Sequence, residues 1–129
     1  EKYLVSPERL KQAVAQERAE ASRRLEIYRA GLPPLIINDQ TVILVDDGIA
    51  TGYTIRAAIN FVKDERPRQI IVAVPHGAAD TLEFLAKEVD KLVVLFKPEW
   101  YGAVGAFYED FGEVGDNEVI ELMRMWYNR

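Results

Sequence analysis

Four apolar residues, Val42, Ile43, Leu44 and Val45, run into two adjacent acids, Asp46 and Asp47, and then into a turn of small residues, Gly48, Ile49, Ala50, Thr51 and Gly52. After Tyr53 and Thr54, the apolar residues Ile55, Ala58, Ile59 and Val62 recur at helical spacing. Asp-Gly after a β-like run is also a hairpin signal. A hairpin calls for a second alternating strand, whereas the residues that follow have a helical period. Strand, acid pair, tight turn and helix in that order confine the chain to an α/β architecture, with a ligand at the carboxyl end of the strand. A helix N-terminus offers unpaired N–H groups and the positive end of a dipole to a phosphate. Gly48 and Gly52 are expected to let the backbone approach it closely, and the Thr51 and Thr54 hydroxyls add donors. Ionised Asp46 and Asp47 are acceptors suited to a pair of vicinal hydroxyls. The ligand class that this chemistry fits is a phosphorylated sugar.

The rest of the chain supports one α/β domain over 1–129. Ser6 and Pro7 read as the cap and first position of a long helix rich in Arg and Glu. Its apolar stripe is Leu10, Val14, Ala21, Leu25 and Tyr28, and Gly31 with Pro33 and Pro34 ends it. Gln69 to Val74 and Lys91 to Phe96 are near-continuous apolar runs, expected to be strands of a parallel sheet buried on both faces. Between them Asp80 or Thr81 is expected to cap a helix with Leu82, Leu85 and Val89 inward. A last helix from Asp116 to Trp126 is expected to use Asp116 as its cap.

Composition narrows the function classes. A net charge of −5 argues against broad nucleic-acid binding, which needs clustered Lys and Arg. No apolar run approaches a membrane span. The absence of cysteine removes disulfides and thiolate metal sites and fits a cytoplasmic protein. A single histidine excludes a multi-histidine metal centre.

Asp46 to Thr54, with the apolar run before it, resembles the phosphoribosyl-pyrophosphate (PRPP) signature of the type I phosphoribosyltransferases. The likeness extends from the Arg/Glu-rich helix through Ala73, Val74 and Pro75 to Tyr101–Phe111, where it is similar to bacterial phosphoribosyltransferase-like proteins. The resemblance implies the Rossmann-like parallel sheet of that fold. It implies that Asp46 and Asp47 bind the ribose hydroxyls, and that Gly48 and Ala50, Thr51, Gly52, Tyr53 and Thr54 wrap the 5-phosphate. It implies transfer of a phosphoribosyl group from PRPP to a small-molecule nitrogen acceptor, a nucleobase by preference, with release of pyrophosphate. Mg²⁺ would ride on the substrate, with no direct protein metal site. The alternative is a non-catalytic PRPP- or nucleotide-binding regulator. A receiver-like signalling domain, also rich in strand-end acids, lacks its acceptor Asp after either Val74-Pro75 or Phe96-Lys97.

Two positions depart from the family's usual pattern. The resemblance associates an acid at position 50 with 6-oxopurine transferases, so Ala50 argues against a hypoxanthine or guanine enzyme. Tyr53 stands where a small residue is usual, and its ring is expected to stack on a neighbouring element. The family's two upstream strands and pyrophosphate loop have no counterpart in residues 1–30, which read as helix. The domain is therefore expected to be partial and inactive alone, completed by a homodimer partner or a complementing N-terminal segment. Glu1 as first residue suggests a start that lies upstream or is processed.

Other candidates are weaker. Trp100 and Tyr101 follow the last strand, on the rim that carries the acids, and are candidate base-side residues, although a packed loop is the plainer reading. His76 is read as a loop histidine with a conceivable acid–base role. Phe107, Tyr108 and Phe111 are read as core at helical spacing, and Glu109 and Asp110 as a solvated pair. Arg18, Arg23 and Arg24 are considered for pyrophosphate. No residue stands out as a catalytic general base. Gly52→Val is expected to abolish phosphate binding while leaving the fold largely intact.

Overall fold

The computed structural model describes residues 6–128. Expectations that touch 1–5 lie outside the described residues. The chain divides into two compact units, one from Leu35–Phe111 and the other made of the chain up to Pro34 and from Gly112 onward.

The Leu35–Phe111 unit is a three-stranded parallel sheet in the order β1-β2-β3, formed by β1 (Thr41–Val45), β2 (Gln69–His76) and β3 (Lys91–Phe96). The crossovers are the helix α2 (Tyr53–Asp64) and the short helix α3 (Ala79–Leu85). Leu44 stands opposite Val72, and Val74 opposite Val94. The strands are apolar and rich in β-branched residues, which suit a pleated surface. The helical period of α2 brings Ile55, Ile59 and Val62 to one buried face, as the sequence predicts. Ile55 and Ile59 join Ile49, Val72, Val74, Leu82 and Leu85 in the main core, with Leu44, Leu92 and Val94 packed against it. A second cluster of Ile37, Val62 and Ile70 closes the opposite end of the sheet. At that end the Asp90 carboxylate accepts from the Ile70 N–H at 2.7 Å, so the turn into β3 is tied to the start of β2.

The expectation that the strands are buried on both faces is not met within this unit. β2 alternates between buried and half-buried residues, and Ile43, Val45, Val93 and Leu95 are exposed on the face away from the helices. The reason is topological. β1, β2 and β3 advance in one direction, and right-handed crossovers that advance in one direction put their helices on the same face. Both helices therefore share one core, and the other face receives none. Two capping expectations also change. α3 starts after Ala78 with no side-chain cap. Val89 packs inward, but beyond the end of that helix.

The other unit contains α1 (Pro7–Tyr28) and α4 (Asp116–Tyr127). Ser6 caps α1 as predicted, its side chain accepting from the Arg9 N–H at 3.3 Å. The helix ends at Tyr28, and Gly31 follows with φ +76°, the left-handed conformation glycine permits. α1 carries no buried residue, so its stripe is not a core stripe. Polar contacts join the two helices instead. Arg23 donates to Asp116 at 2.8 Å and the Tyr28 hydroxyl donates to the same carboxylate. Asp116 is consequently not the cap of α4, which is Gly115. Its carboxylate serves the partner helix.

Candidate functional site

β1 ends at Val45, and the chain leaves the sheet through Asp46 and Asp47 at its carboxyl end. The Asp46 carboxylate is half-buried and accepts from the Asp47 N–H at 3.0 Å. Burial raises the Asp46 pKa above the ordinary aspartate value, and the adjacent Asp47 charge adds to the effect. The Asp47 side chain is exposed. Beyond the acids the turn returns to the sheet through an isolated parallel bridge between Ile49 and Gly77. The Ile49 N–H donates to the His76 carbonyl at 3.1 Å, and the Ala78 N–H donates to the Ile49 carbonyl at 2.8 Å. Ile49 is buried beneath the turn, so an apolar residue anchors the loop while Asp47 and Thr51 are exposed.

Thr51 and Thr54 are exposed on either side of Gly52, the residue that caps α2. Gly52 has φ +75° and its carbonyl accepts the first helical bond, from the Arg56 N–H at 3.0 Å. The N–H groups of the first turn of α2 have no partner within the helix and are oriented toward its N-terminal end. Asp46 to Ile55 together with Val104 line an open cavity of about 280 Å³. The acids, the threonines and the helix start thus converge on one cavity, as the sequence predicts. The arrangement can accept hydrogen bonds from a diol and donate them to an anion.

The interior places its own demand on the two glycines. A Cβ on Gly48 would stand 2.5 Å from Cε1 of His76 and 2.9 Å from the Tyr101 hydroxyl. On Gly52 it would stand 2.6 Å from Cγ2 of Thr81. Both positions are small because the interior behind the loop is full. Gly52→Val would therefore disturb the fold itself, contrary to the expectation. Thr81 is the reason at that end: its hydroxyl donates to the Ala50 carbonyl at 2.9 Å, which ties α3 to the loop.

His76 is the last residue of β2 and is 1 % exposed, which corrects its reading as a loop residue. It shares the parity of Ile70, Val72 and Val74, and that alternation is the signal that would have put it inside. Its Nδ1 lies 2.9 Å from the Tyr101 hydroxyl, and Nε2 has no hydrogen-bond partner among the described residues. Phe96, Phe107, Tyr101 and Tyr108 surround the ring with centroids 4.5–5.7 Å away. Enclosed in this way, His76 does not reach the cavity as an acid or base.

Tyr101 is likewise turned inward, stacked on Phe107 at 5.3 Å, whereas Trp100 is 89 % exposed on the rim. Of the predicted helical aromatic group, only Phe107 lies in a helix, the 3-10 turn Val104–Phe107, and Tyr108 and Phe111 remain partly exposed. Tyr108 donates its hydroxyl to the Asp47 carbonyl at 2.6 Å, a contact that sequence reasoning missed. Tyr53, at the first position of α2, is exposed with no ring contact among the described residues, so the expected stacking is not seen. Arg23 and Arg24 are held by Glu20 on their own helix, and Arg23 also by Asp116. Glu109 and Asp110 are exposed, as predicted.

Comparison with known proteins shows what this chain is similar to. The family model "Phosphoribosyl transferase domain" matches residues 6–111. The "Putative phosphoribosyl transferase" of Mycobacterium tuberculosis strain H37Rv is 34% identical over 104 residues, covering 81% of this chain and 24% of that protein. The "Bifunctional protein PyrR" of Pediococcus pentosaceus is 42% identical over 59 residues, 45% of this chain and 33% of that protein. The crystal structure of TT1426 from Thermus thermophilus superposes with a TM-score of 0.80 at 37% identity, covering 95% of this chain and 58% of that one. The chain thus spans about a quarter to a third of the length of these curated relatives. With the family model running from the first described residue through the whole sheet and its acid loop, this chain belongs to the phosphoribosyl transferase domain family.

Proposed function

We propose that the cavity at Asp46–Thr54 binds the ribose 5-phosphate part of PRPP, and that the protein transfers the phosphoribosyl group to a nitrogen acceptor with release of pyrophosphate. The observation that carries this reading is the convergence of two carboxylates and the N-terminus of a twelve-residue helix on one cavity. Asp46 and Asp47 accept hydrogen bonds from the ribose 2- and 3-hydroxyls. The first turn of α2, with Thr51 and Thr54, holds the 5-phosphate. The phosphate lies away from the reacting carbon, so its binding energy serves to orient the sugar. As the bond from ribose to pyrophosphate lengthens, positive charge develops on the ring, and the nearby carboxylates favour it.

Among the described residues no group of three or more His, Cys, Asp or Glu side chains is arranged to hold a metal. Such a site suits Mg²⁺ carried by the substrate, because this ion keeps phosphate oxygens and waters and needs few protein ligands. When bound, it would neutralise the pyrophosphate leaving group. Ala50 leaves a nucleobase other than hypoxanthine or guanine as the preferred acceptor, with Trp100 as the exposed rim residue nearest in sequence to a base-side role. No described helix is long and apolar enough to cross a membrane.

Calorimetry with PRPP and Mg²⁺ tests the reading. Asp46→Asn with Asp47→Asn removes charged acceptors worth roughly 1.5–3 kcal/mol each, so affinity should fall by about a hundredfold or more. Unchanged affinity in the double variant would refute it. Pyrophosphate release over a panel of bases separates a transferase from a regulator that binds without turnover.

A further inference from the structure

We propose that Tyr108 and the Tyr101–His76 pair are positioning residues that hold the Asp46–Gly48 turn from behind and so set its affinity for a ribose diol. The inference rests on the ribose-binding reading above. Asp47 is at the open mouth of the cavity with its side chain exposed, and its backbone is what is anchored. The Tyr108 hydroxyl donates to the Asp47 carbonyl at 2.6 Å, reaching across 61 residues of chain. One residue on, the His76 ring and the Tyr101 hydroxyl occupy the space where a Gly48 side chain would be.

These contacts form one unit. Tyr101 and His76 are joined at 2.9 Å, and both pack on Phe107. Burial, reinforced by the negative Asp47, pushes the Tyr101 phenol up, so it stays neutral at physiological pH. The turn is thus pressed between the cavity on one side and an aromatic wall on the other. The Asp47 carbonyl cannot rotate without breaking the Tyr108 bond, so the backbone from which the Asp47 side chain projects is held in place. A turn already held in its binding conformation takes up a diol without the cost of ordering its backbone. The tyrosines act through the loop and touch no ligand.

The test uses the full chain, Tyr108→Phe, and two probes, ribose 5-phosphate and 2-deoxyribose 5-phosphate. The deoxy sugar keeps the phosphate and loses one hydroxyl of the diol. Tyr108→Phe keeps the ring and removes one donor, so ribose 5-phosphate affinity should fall about three- to tenfold. The deoxy sugar should be affected less, and the preference for ribose should shrink. A purely structural role would weaken both probes alike. Tyr101→Phe, which removes the hydroxyl facing His76, should reduce the preference in the same direction and serves if Tyr108→Phe fails to fold. Wild-type preference retained in both variants overturns the inference and leaves the site reading standing. A wild-type protein that binds neither sugar phosphate overturns the site reading and this inference with it.

Discussion

Gly48→Ala is the smallest change that probes the wall behind the acid loop. The added Cβ would lie 2.5 Å from Cε1 and 2.9 Å from Nδ1 of His76. Ordinary carbon–carbon contact is about 3.5–4.0 Å, so the overlap is about 1 Å. The His76 ring has no room to retreat, because Phe96, Phe107, Tyr101 and Tyr108 surround it. Overpacking of this kind costs about 1–3 kcal/mol, and the closed surroundings point to the upper half of that range. His76→Ala alone removes a buried ring and should cost about 3 kcal/mol by the large-to-small rule. If the clash is the cause, removing the ring relieves it. The double variant should then lose about 2 kcal/mol less than the sum of the single losses. Urea unfolding followed by near-UV circular dichroism measures all four corners of the cycle. A neutral Gly48→Ala, or losses that add to within about 0.5 kcal/mol, would refute the packing argument.

Gly52→Ala should cost about 2–4 kcal/mol, combining a left-handed φ with a Cβ 2.6 Å from Thr81. Gly31 has nearly the same φ but open space around it, so Gly31→Ala should cost only the torsional part, about 1–2 kcal/mol; equal losses at the two sites in urea melts would remove the clash from the account. The α1–α4 unit should loosen in acid. Arg23 and Arg24 hold Glu20 down from 4.5 to about 2, and Arg23 and Tyr28 hold Asp116 below its usual value. Depressed carboxylates contribute stability above their unfolded pKa values and lose it as pH falls through the folded ones. Amide protection in α1 and α4, taken relative to the intrinsic exchange rate at each pH, should therefore fall between about pH 4.5 and 2, and more so in low salt, where surface pairs are less screened. Protection that is flat over that range, or the same in Asp116→Asn, would discount the ion pairs.

The elements and the placing of the acid loop at a strand end were legible in the chain because both are written in short-range pattern. The alternation of Gln69–His76, the helical period of Ile55, Ile59 and Val62, and the acids beside a small-residue turn involve residues within a few positions of one another. Strand boundaries came within a residue or two, and β3 coincides with the apolar run that predicted it. Caps were less legible where a side chain had a distant partner. Ser6 caps its helix through the local Arg9 N–H, while Asp116 serves Arg23 and Tyr28 and its helix starts at Gly115 with no side-chain cap.

What stands behind the loop depends on contacts that no local pattern encodes. Gly48 meets His76, Thr81 holds Ala50, and Tyr108 holds Asp47, each pair distant in sequence. The covered face of the sheet is likewise a long-range outcome. An apolar strand specifies burial, but the direction in which successive crossovers advance chooses the side, and that is a property of the whole sheet rather than of any strand.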